Sequence, residues 1–121
     1  MPRRVLIADD SDVVRELIRS FLVERFPDVE VCAETANGRE TVDEALRLEP
    51  DLVILDVLMP DLNGIEVASI VKKSLPNTKL ILFTMYGEYV KTLAISAGVD
   101  IVLPKPEGLT PLIEALEGVL E

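Results

Sequence analysis

Residues 52–64 read LVILDVLMPDLNG and join a short apolar run to a polar break in the chain. The apolar residues 52–55 are followed by turn-forming residues, which predicts a short strand buried on both faces. Asp56 comes at the carboxyl end of this strand, the edge where ligands bind in open α/β sheets. We therefore expect Asp56 to be a functional carboxylate, with other polar side chains gathered around it.

Apolar runs and helical patterns alternate on both sides of this segment. Strands are predicted at residues 5–8, 29–34, 52–55, 79–83 and 101–103. Apolar residues at helical spacing follow each of them, and the helix ends are marked by Pro27, Pro50, Pro76 and Gly98. Strict alternation predicts an α/β fold, with a parallel sheet and helices on both faces. We expect residues 1–121 to form one domain.

The composition restricts the function further. With 49% hydrophobic and 28% charged residues the chain has a globular composition, and a net charge of -10 argues against direct binding of nucleic acid. The absence of histidine excludes imidazole bases and histidine-ligated zinc, and the single Cys32 excludes an internal disulfide. No apolar run approaches the roughly 18 residues of a membrane span, and no signal peptide is evident, so we expect a cytoplasmic protein without membrane contact.

Five polar side chains follow four of the predicted strands. They are Asp9 and Asp10 after the first, Asp56 after the third, Thr84 after the fourth and Lys105 after the fifth. Because the strands of a parallel sheet end at one edge, these side chains meet there if the four strands are neighbours. Simpler roles stay open for some of them, since Asp10, with Ser11 and Asp12, could merely cap a helix, Thr84 could serve only a turn and Lys105 could be solvated.

Three carboxylates at one edge need cations beside them. Each pair at a few Å repels by about 4 kcal/mol at an effective dielectric near 20. Lys105 supplies one positive charge, and an all-oxygen site with room for water suits Mg²⁺ better than Ca²⁺. An ionised Asp56 beside Mg²⁺ and Lys105 can attack phosphorus and form an aspartyl phosphate, and the Thr84 hydroxyl can donate to the new phosphoryl group.

The segments VLIADDSDVVR, LVILDVLMPDLNGIEV, LILFTMY and AGVDIVLPKP together resemble the receiver domain of two-component response regulators. The resemblance covers essentially the whole chain, and the four segments are specific only as a set. It implies a five-stranded parallel sheet of order 2-1-3-4-5, in a flavodoxin-like doubly wound fold.

The resemblance also implies a role for each side chain at the metal site. Asp56 would accept the phosphoryl group and contact Mg²⁺. Asp10 would bind Mg²⁺ directly, whereas Asp9 would act mainly through metal-bound water. The backbone carbonyl of Leu58 would complete the site.

Two further residues would act on the phosphoryl group. Thr84 would be the switch hydroxyl and Lys105 the cation that pairs with it. The Lys105–Pro106 bond stands where the family often has a cis peptide, which proline tolerates.

The implied function is a phosphorylation-activated signalling switch. Asp56 would receive a phosphoryl group from a histidine kinase or phosphotransfer protein in a Mg²⁺-dependent reaction. The surface of the fourth helix, fifth strand and fifth helix would then change and control an output domain or partner protein, or a phosphorylation-dependent homodimer. The domain would catalyse its own phosphorylation and dephosphorylation without being a multiple-turnover enzyme. A stand-alone receiver and the N-terminal domain of a longer regulator both fit.

The chain departs from the family pattern near its fifth strand. Val102 stands where an aromatic residue that moves on activation is usual, Ile101 where glycine is common, and Pro104 directly before Lys105. These departures keep open a degenerate receiver that acts as a constitutive binding module.

A phosphatase of the haloacid dehalogenase type is a rival from another class, since it also uses a strand-end Asp with Mg²⁺, Thr and Lys. Such enzymes usually carry a second Asp two residues after the nucleophile, where this chain has Leu58. The chain also lacks room for a cap domain. We therefore favour the receiver.

Overall fold

Strands and helices alternate along the chain in the computed structural model, which describes residues 3–120. The strands are β1 (Arg3–Ala8), β2 (Val29–Thr35), β3 (Leu52–Leu55), β4 (Lys79–Thr84) and β5 (Ile101–Pro104). The α-helices are α1 (Asp12–Arg25), α2 (Gly38–Leu48), α3 (Gly64–Ser74), α4 (Gly87–Ser96) and α5 (Thr110–Leu120), and one 3₁₀ turn covers Lys105–Glu107.

The five strands form one parallel sheet in the order β2-β1-β3-β4-β5. The predicted fold class and strand order are therefore confirmed. All four residues of β3 are buried, as its uninterrupted apolar sequence predicts. β2 lies at an edge and is only partly buried, which agrees with its alternating sequence.

Helices cover both faces of the sheet and bury two apolar layers. One layer, against α1 and α5, includes Ile18, Leu22, Leu112 and Leu116. The other layer, against α2, α3 and α4, includes Val42, Ala45, Val67, Ala68, Val71 and Ala94. The sheet is thus closed on its faces, and its carboxyl edge is left for polar side chains. Among residues 3–120, no helix has the length and apolar character that crossing a membrane requires.

Three helices begin at side chains that cap them. The Asn37 side chain accepts from the backbone N–H of Glu40 at 2.8 Å and so caps α2. The Asn63 side chain and Glu66 form a reciprocal capping box at α3. The Ser11 hydroxyl accepts from Val14 at the start of α1, so this cap is made by Ser11 and not by Asp10.

Several strands are longer than predicted. β1 begins at Arg3, whose N–H donates to the carbonyl of Asp28 at 3.1 Å. β4 and β5 each extend by one residue, with Thr84 and Pro104 opposite one another in register. Backbone pairing therefore continues past the apolar residues on which the predicted bounds relied.

Asp100 ties three elements together beside β5. Its carboxylate accepts from the Lys72 ammonium of α3 and from the backbone N–H of Leu80 in β4, both at 2.9 Å. Partial burial raises the pKa of Asp100, but the hydrogen bonds from Lys72 and the Leu80 N–H, with the charges of Lys72 and Lys79, outweigh this effect and lower the pKa below 3.8. The charged carboxylate therefore stabilises the folded chain.

An Asp100→Asn variant is expected to lose about 1–2 kcal/mol of unfolding free energy near neutral pH, because the charge-assisted bond to Lys72 is lost. A lowered carboxyl pKa contributes stability above the unfolded value and loses it as the pH falls through the folded value. The difference in unfolding free energy between the native chain and the variant should therefore disappear as the pH falls below about 3.8. Urea unfolding as a function of pH measures it. The exposed Asp43 of α2 provides a control, since Asp43→Asn should change little at any pH.

Candidate functional site

Adjacent central strands deliver the acidic residues. Asp9 follows β1, and its N–H donates to the carbonyl of Thr35 in β2 at 3.0 Å. Asp56 follows β3, and its N–H donates to the carbonyl of Ala8, the last residue of β1, at 3.1 Å. The sheet hydrogen bonding thus continues one residue past the strands, which places both aspartates at the same edge.

Asp9, Asp10 and Asp56 form a carboxylate cluster. Each offers an oxygen, and these three oxygens all lie within 4.8 Å of one another. Asp9 and Asp56 are buried, with 3% and 7% of their surface exposed, whereas Asp10 is exposed. The cluster is thus open to solvent on one side and enclosed by the sheet on the other.

Lys105 bridges the two buried carboxylates. Its Nζ lies 2.7 Å from Asp9 Oδ2 and 2.8 Å from Asp56 Oδ2. The side chain is only 14% exposed, and Nζ lies 6.0 Å from the ring centroid of Phe83 in β4. Lys105 begins the 3₁₀ turn directly after β5, so its position follows from the end of that strand.

The pKa of Lys105 reflects two opposing effects. Burial, the larger single effect, lowers it by disfavouring the charged ammonium. Hydrogen bonds and charge attraction from Asp56 and Asp9 together exceed that effect, and they raise the pKa above its ordinary value. Lys105 is therefore a permanent cation at neutral pH.

The second oxygen of each buried carboxylate accepts a backbone N–H. Asp56 Oδ1 accepts from Val57 at 2.6 Å, and Asp9 Oδ1 accepts from Ser11 at 2.9 Å. Hydrogen bonds to both oxygens fix the direction in which each carboxylate points.

Thr84 ends β4, the strand between β3 and β5, but its side chain makes no hydrogen bond to the carboxylate cluster. Its side chain is fully buried, and its hydroxyl accepts from the N–H of Tyr86 at 3.3 Å. Among the side-chain hydrogen bonds of residues 3–120, none joins Thr84 to Asp9, Asp56 or Lys105. Four of the five predicted side chains therefore meet directly, and Thr84 stands one register step from Lys105, opposite Pro104.

The predicted cis peptide at Lys105–Pro106 is wrong for this structure, because residues 3–120 contain no cis peptide bond. The trans form is also the lower in energy before proline, by about 0.5–1 kcal/mol. In the 3₁₀ turn that begins here, the carbonyl of Lys105 accepts from Gly108 at 2.8 Å.

Two further expectations concern Val102 and Leu58. Val102 is half-buried and packs against the core layer of α4, so a small aliphatic side chain occupies this part of β5. The Leu58 side chain is exposed, and the role of its backbone carbonyl as a metal ligand stays a prediction.

Two residues of the site were missed at the level of sequence. Gly64 lies so close to the Asp56 carbonyl that a Cβ would stand 2.0 Å from that oxygen. Arg15 of α1 donates from its guanidinium to the carbonyl of Asp9 and to the carboxylate of Asp12. Gly64 reads as an ordinary turn residue and Arg15 as a solvated helix residue; only their place within two of the matched segments could have drawn attention to them.

The donor set fits a divalent cation that prefers oxygen. Three carboxylate oxygens converge, and the three carboxylates exceed the single ammonium of Lys105 by two negative charges. Hard oxygen donors of this kind suit Mg²⁺ or Ca²⁺ and not a thiophilic metal. Asp10, the exposed member, keeps the cluster accessible to water.

Comparisons with known proteins agree with this geometry. The sequence profile described as response regulator receiver domain matches residues 5–117. The response regulator protein VraR of Staphylococcus saprophyticus is 37% identical over 117 residues, which are 96% of this chain and 56% of that protein. The chain thus spans about half the length of the curated relatives it matches.

Solved structures give the same result. The REC domain of AraT from Geobacillus stearothermophilus has a TM-score of 0.87 at 34% identity, with 98% of this chain and 93% of that chain covered. The response regulator domain of Thermotoga maritima CheB has a TM-score of 0.87 at 29% identity, with coverage of 99% and 97%. With a profile matching nearly its whole length, a strand order of 2-1-3-4-5 and an acidic cluster bridged by lysine, the chain belongs to the response regulator receiver domain family.

Proposed function

We propose that residues 1–121 are one receiver domain, whose Asp56 accepts a phosphoryl group from a histidine kinase or phosphotransfer protein in a Mg²⁺-dependent reaction. The observation that carries this proposal is the Lys105 ammonium. It lies within hydrogen-bond distance of both Asp9 and Asp56, beside the third carboxylate of Asp10.

In the proposed step, an Asp56 carboxylate oxygen attacks the phosphorus of a phosphohistidine. The new O–P bond forms as the N–P bond breaks, and the electron pair of that bond returns to the imidazole nitrogen of the donor. The Lys105 ammonium already contacts Asp56, and it can pair with the negatively charged oxygens of the incoming phosphoryl group.

Mg²⁺ is proposed to bind Asp10 and Asp56 directly, Asp9 mainly through water, and the backbone carbonyl of Leu58. When bound, it would neutralise charge on the carboxylates and on the transferred group. Hydrolysis returns the domain to its starting state, when water attacks phosphorus and inorganic phosphate leaves Asp56. The domain would thus catalyse its own modification and demodification without turning over an external substrate repeatedly.

A hydrogen bond from Thr84 alone cannot shift the domain completely from an inactive to an active conformation. A charged hydrogen bond contributes about 1.5–3 kcal/mol, whereas a shift from 1:99 to 99:1 needs about 5.5 kcal/mol of differential binding. The Thr84 hydroxyl must also leave its contact with the Tyr86 N–H if it is to turn toward Asp56. We therefore propose that Lys105 and the metal add to the effect of Thr84.

The proposed output surface comprises α4, β5 and α5. Two side chains near the start of α4 support it, because Tyr86 is 44% exposed and Tyr89 is 86% exposed. Both follow Thr84 closely, so a movement of the Thr84 loop would displace them. An output domain, a partner protein or a second phosphorylated copy of the chain would contact this surface. We propose that the domain acts in the cytoplasm, without direct contact to membrane or nucleic acid.

Incubation with acetyl phosphate and MgCl₂, followed by intact-mass measurement, tests the proposal. The native chain is expected to gain one phosphoryl group and Asp56→Asn none, because the amide is not a nucleophile toward phosphorus. A matched control is Asp61→Asn, in the same loop. Asp61 is exposed and has a φ of 73°, a conformation that Asn tolerates, so this variant should be phosphorylated normally.

Each alternative gives a different result in this experiment or in a parallel phosphate-release assay with a phosphomonoester. A native chain that gains no mass would favour the degenerate receiver that binds partners constitutively. Steady release of phosphate from phosphomonoesters would favour a phosphatase instead. Equal mass gain in the native chain and Asp56→Asn would move the phosphoacceptor to another residue.

A further inference from the structure

The guanidinium of Arg15 connects three segments next to the carboxylate cluster. It donates to the backbone carbonyl of Asp9 and to the carboxylate of Asp12, and its Nε lies 3.8 Å from the carboxylate of Glu34 in β2. The Arg15 side chain is only 14% exposed, although it carries a charge. These contacts join the β1–α1 loop, the first turn of α1 and the edge strand.

The loop that Arg15 contacts is short and carries two members of the cluster. The Asp9 carbonyl belongs to the peptide group between Asp9 and Asp10, so a rotation of that group would reorient both residues. The Asp10 side chain is exposed, and its position depends on this backbone. On the other side of Asp9, the N–H is fixed by the Thr35 carbonyl of β2. Arg15 thus fixes the half of the loop that the sheet does not hold.

We propose that Arg15 is a positioning residue, which holds the Asp9–Asp10 peptide group so that both carboxylates face a bound Mg²⁺. This inference rests on the function proposed above, since it assigns Arg15 to the same metal site. The planar guanidinium can donate in two directions at once, toward the Asp9 carbonyl and the Asp12 carboxylate, and a single ammonium cannot reproduce this geometry.

The charge of Arg15 and its contacts with the loop predict opposite changes in Mg²⁺ affinity when Arg15 is removed. A cation near the cluster repels Mg²⁺, so if charge alone mattered, its removal would strengthen Mg²⁺ binding. If Arg15 positions the loop, its removal weakens binding. Contacts of this supporting kind typically change metal affinity by about 10- to 100-fold. The sign of the change therefore separates positioning from simple electrostatics.

Calorimetric titration with MgCl₂ at constant ionic strength tests the inference on the native chain, Arg15→Ala, Arg15→Lys and Arg19→Ala. Arg19 is the matched control, because it lies one turn further along α1 and contacts Glu34 at 2.9 Å but not the β1–α1 loop. The Kd for Mg²⁺ is expected to rise about tenfold in Arg15→Ala. Arg15→Lys should show most of the same rise in Kd, and Arg19→Ala should bind Mg²⁺ like the native chain.

Amide hydrogen exchange of Ser11 gives a readout independent of the metal. The N–H of Ser11 donates to the carboxylate of Asp9, so it should exchange faster in Arg15→Ala than in Arg19→Ala. Urea unfolding of each variant reports any general loss of stability separately. If Arg15→Ala does not fold, Arg15→Lys, which keeps the aliphatic stem and the charge, carries the test.

Several outcomes would overturn the inference. An unchanged or lower Kd in Arg15→Ala would remove the positioning role, and full recovery in Arg15→Lys would show that a guanidinium donating in two directions is not required. In both cases the native chain still binds Mg²⁺, so the proposed function stands. A native chain that does not bind Mg²⁺ would instead end the proposed metal site, and the role of Arg15 with it.

Discussion

Replacing Gly64 with alanine is expected to lower the unfolding free energy by about 3 kcal/mol or more, as severe overpacking does. The alanine Cβ would stand 2.0 Å from the Asp56 carbonyl oxygen, 2.8 Å from its carbonyl carbon and 3.1 Å from the Cα of Val57. These are backbone atoms, so no side-chain rotation can relieve the clash. The Gly64 N–H also donates to the Val57 carbonyl at 2.9 Å, and this bond holds the start of α3 against the end of β3.

The same substitution should impair the site. Any shift that accommodates the methyl group must move the backbone of Asp56 or Val57, and the N–H of Val57 orients the Asp56 carboxylate at 2.6 Å. We therefore expect slower phosphoryl incorporation in whatever fraction of Gly64→Ala folds. Urea unfolding and intact-mass kinetics measure the two effects.

Gly118 is the matched control for Gly64. It lies on the exposed side of α5, and a Cβ added there meets no atom within 4 Å. Gly118→Ala should raise the unfolding free energy by about 0.5–1 kcal/mol, because alanine favours the helix. If Gly64→Ala proved as stable as the native chain, the β3–α3 loop would be far more adjustable than its contacts indicate.

The sequence could identify most of the site because strand ends are visible in it. Asp9, Asp56 and Lys105 each follow an apolar run, and parallel strands bring such residues to one edge whatever the detailed packing. The burial of β3 on both faces likewise follows from its uninterrupted apolar residues. These features depend on periodicity, which a single sequence contains.

Other features depend on distances through space, which no pattern in the chain encodes. The contact of Gly64 with the Asp56 carbonyl arises only when α3 folds back on β3. The reach of Arg15 to Asp9 depends on one side-chain rotamer, as does the turn of the Thr84 hydroxyl toward Tyr86. Residue types favour the trans isomer of the Lys105–Pro106 bond by only about 0.5–1 kcal/mol, a preference small enough for the packing of a folded chain to reverse.

Replacing Lys105 with methionine is expected to cost about 3–5 kcal/mol of unfolding free energy, the usual effect of removing one partner from a buried ion pair. The substitution leaves the carboxylates of Asp9 and Asp56 facing each other beside Asp10 without their bridging cation. Lys91→Met is the control, because Lys91 is exposed on α4. This variant should change the unfolding free energy by no more than about 0.5 kcal/mol.

The pH dependence of this deficit has a defined sign. The pKa of Lys105 is raised in the folded chain, so its contribution is fully present below the ordinary value of 10.5 and is lost as the pH rises through the higher folded value. The gap between native chain and Lys105→Met should therefore stay constant between about pH 7 and pH 9, and narrow only above about pH 10.5.

A double-mutant cycle shows whether the loss arises at the carboxylates. Asp56→Asn removes one of the two charges that Lys105 bridges, so the double variant should lose clearly less stability than the sum of the single variants. Addition of MgCl₂ should also recover more stability in Lys105→Met than in the native chain, because a cation in the cluster replaces the missing ammonium charge. Strict additivity, together with no recovery by Mg²⁺, would mean that Lys105 stabilises the fold through its ammonium near the Phe83 ring and not by holding the acidic cluster together.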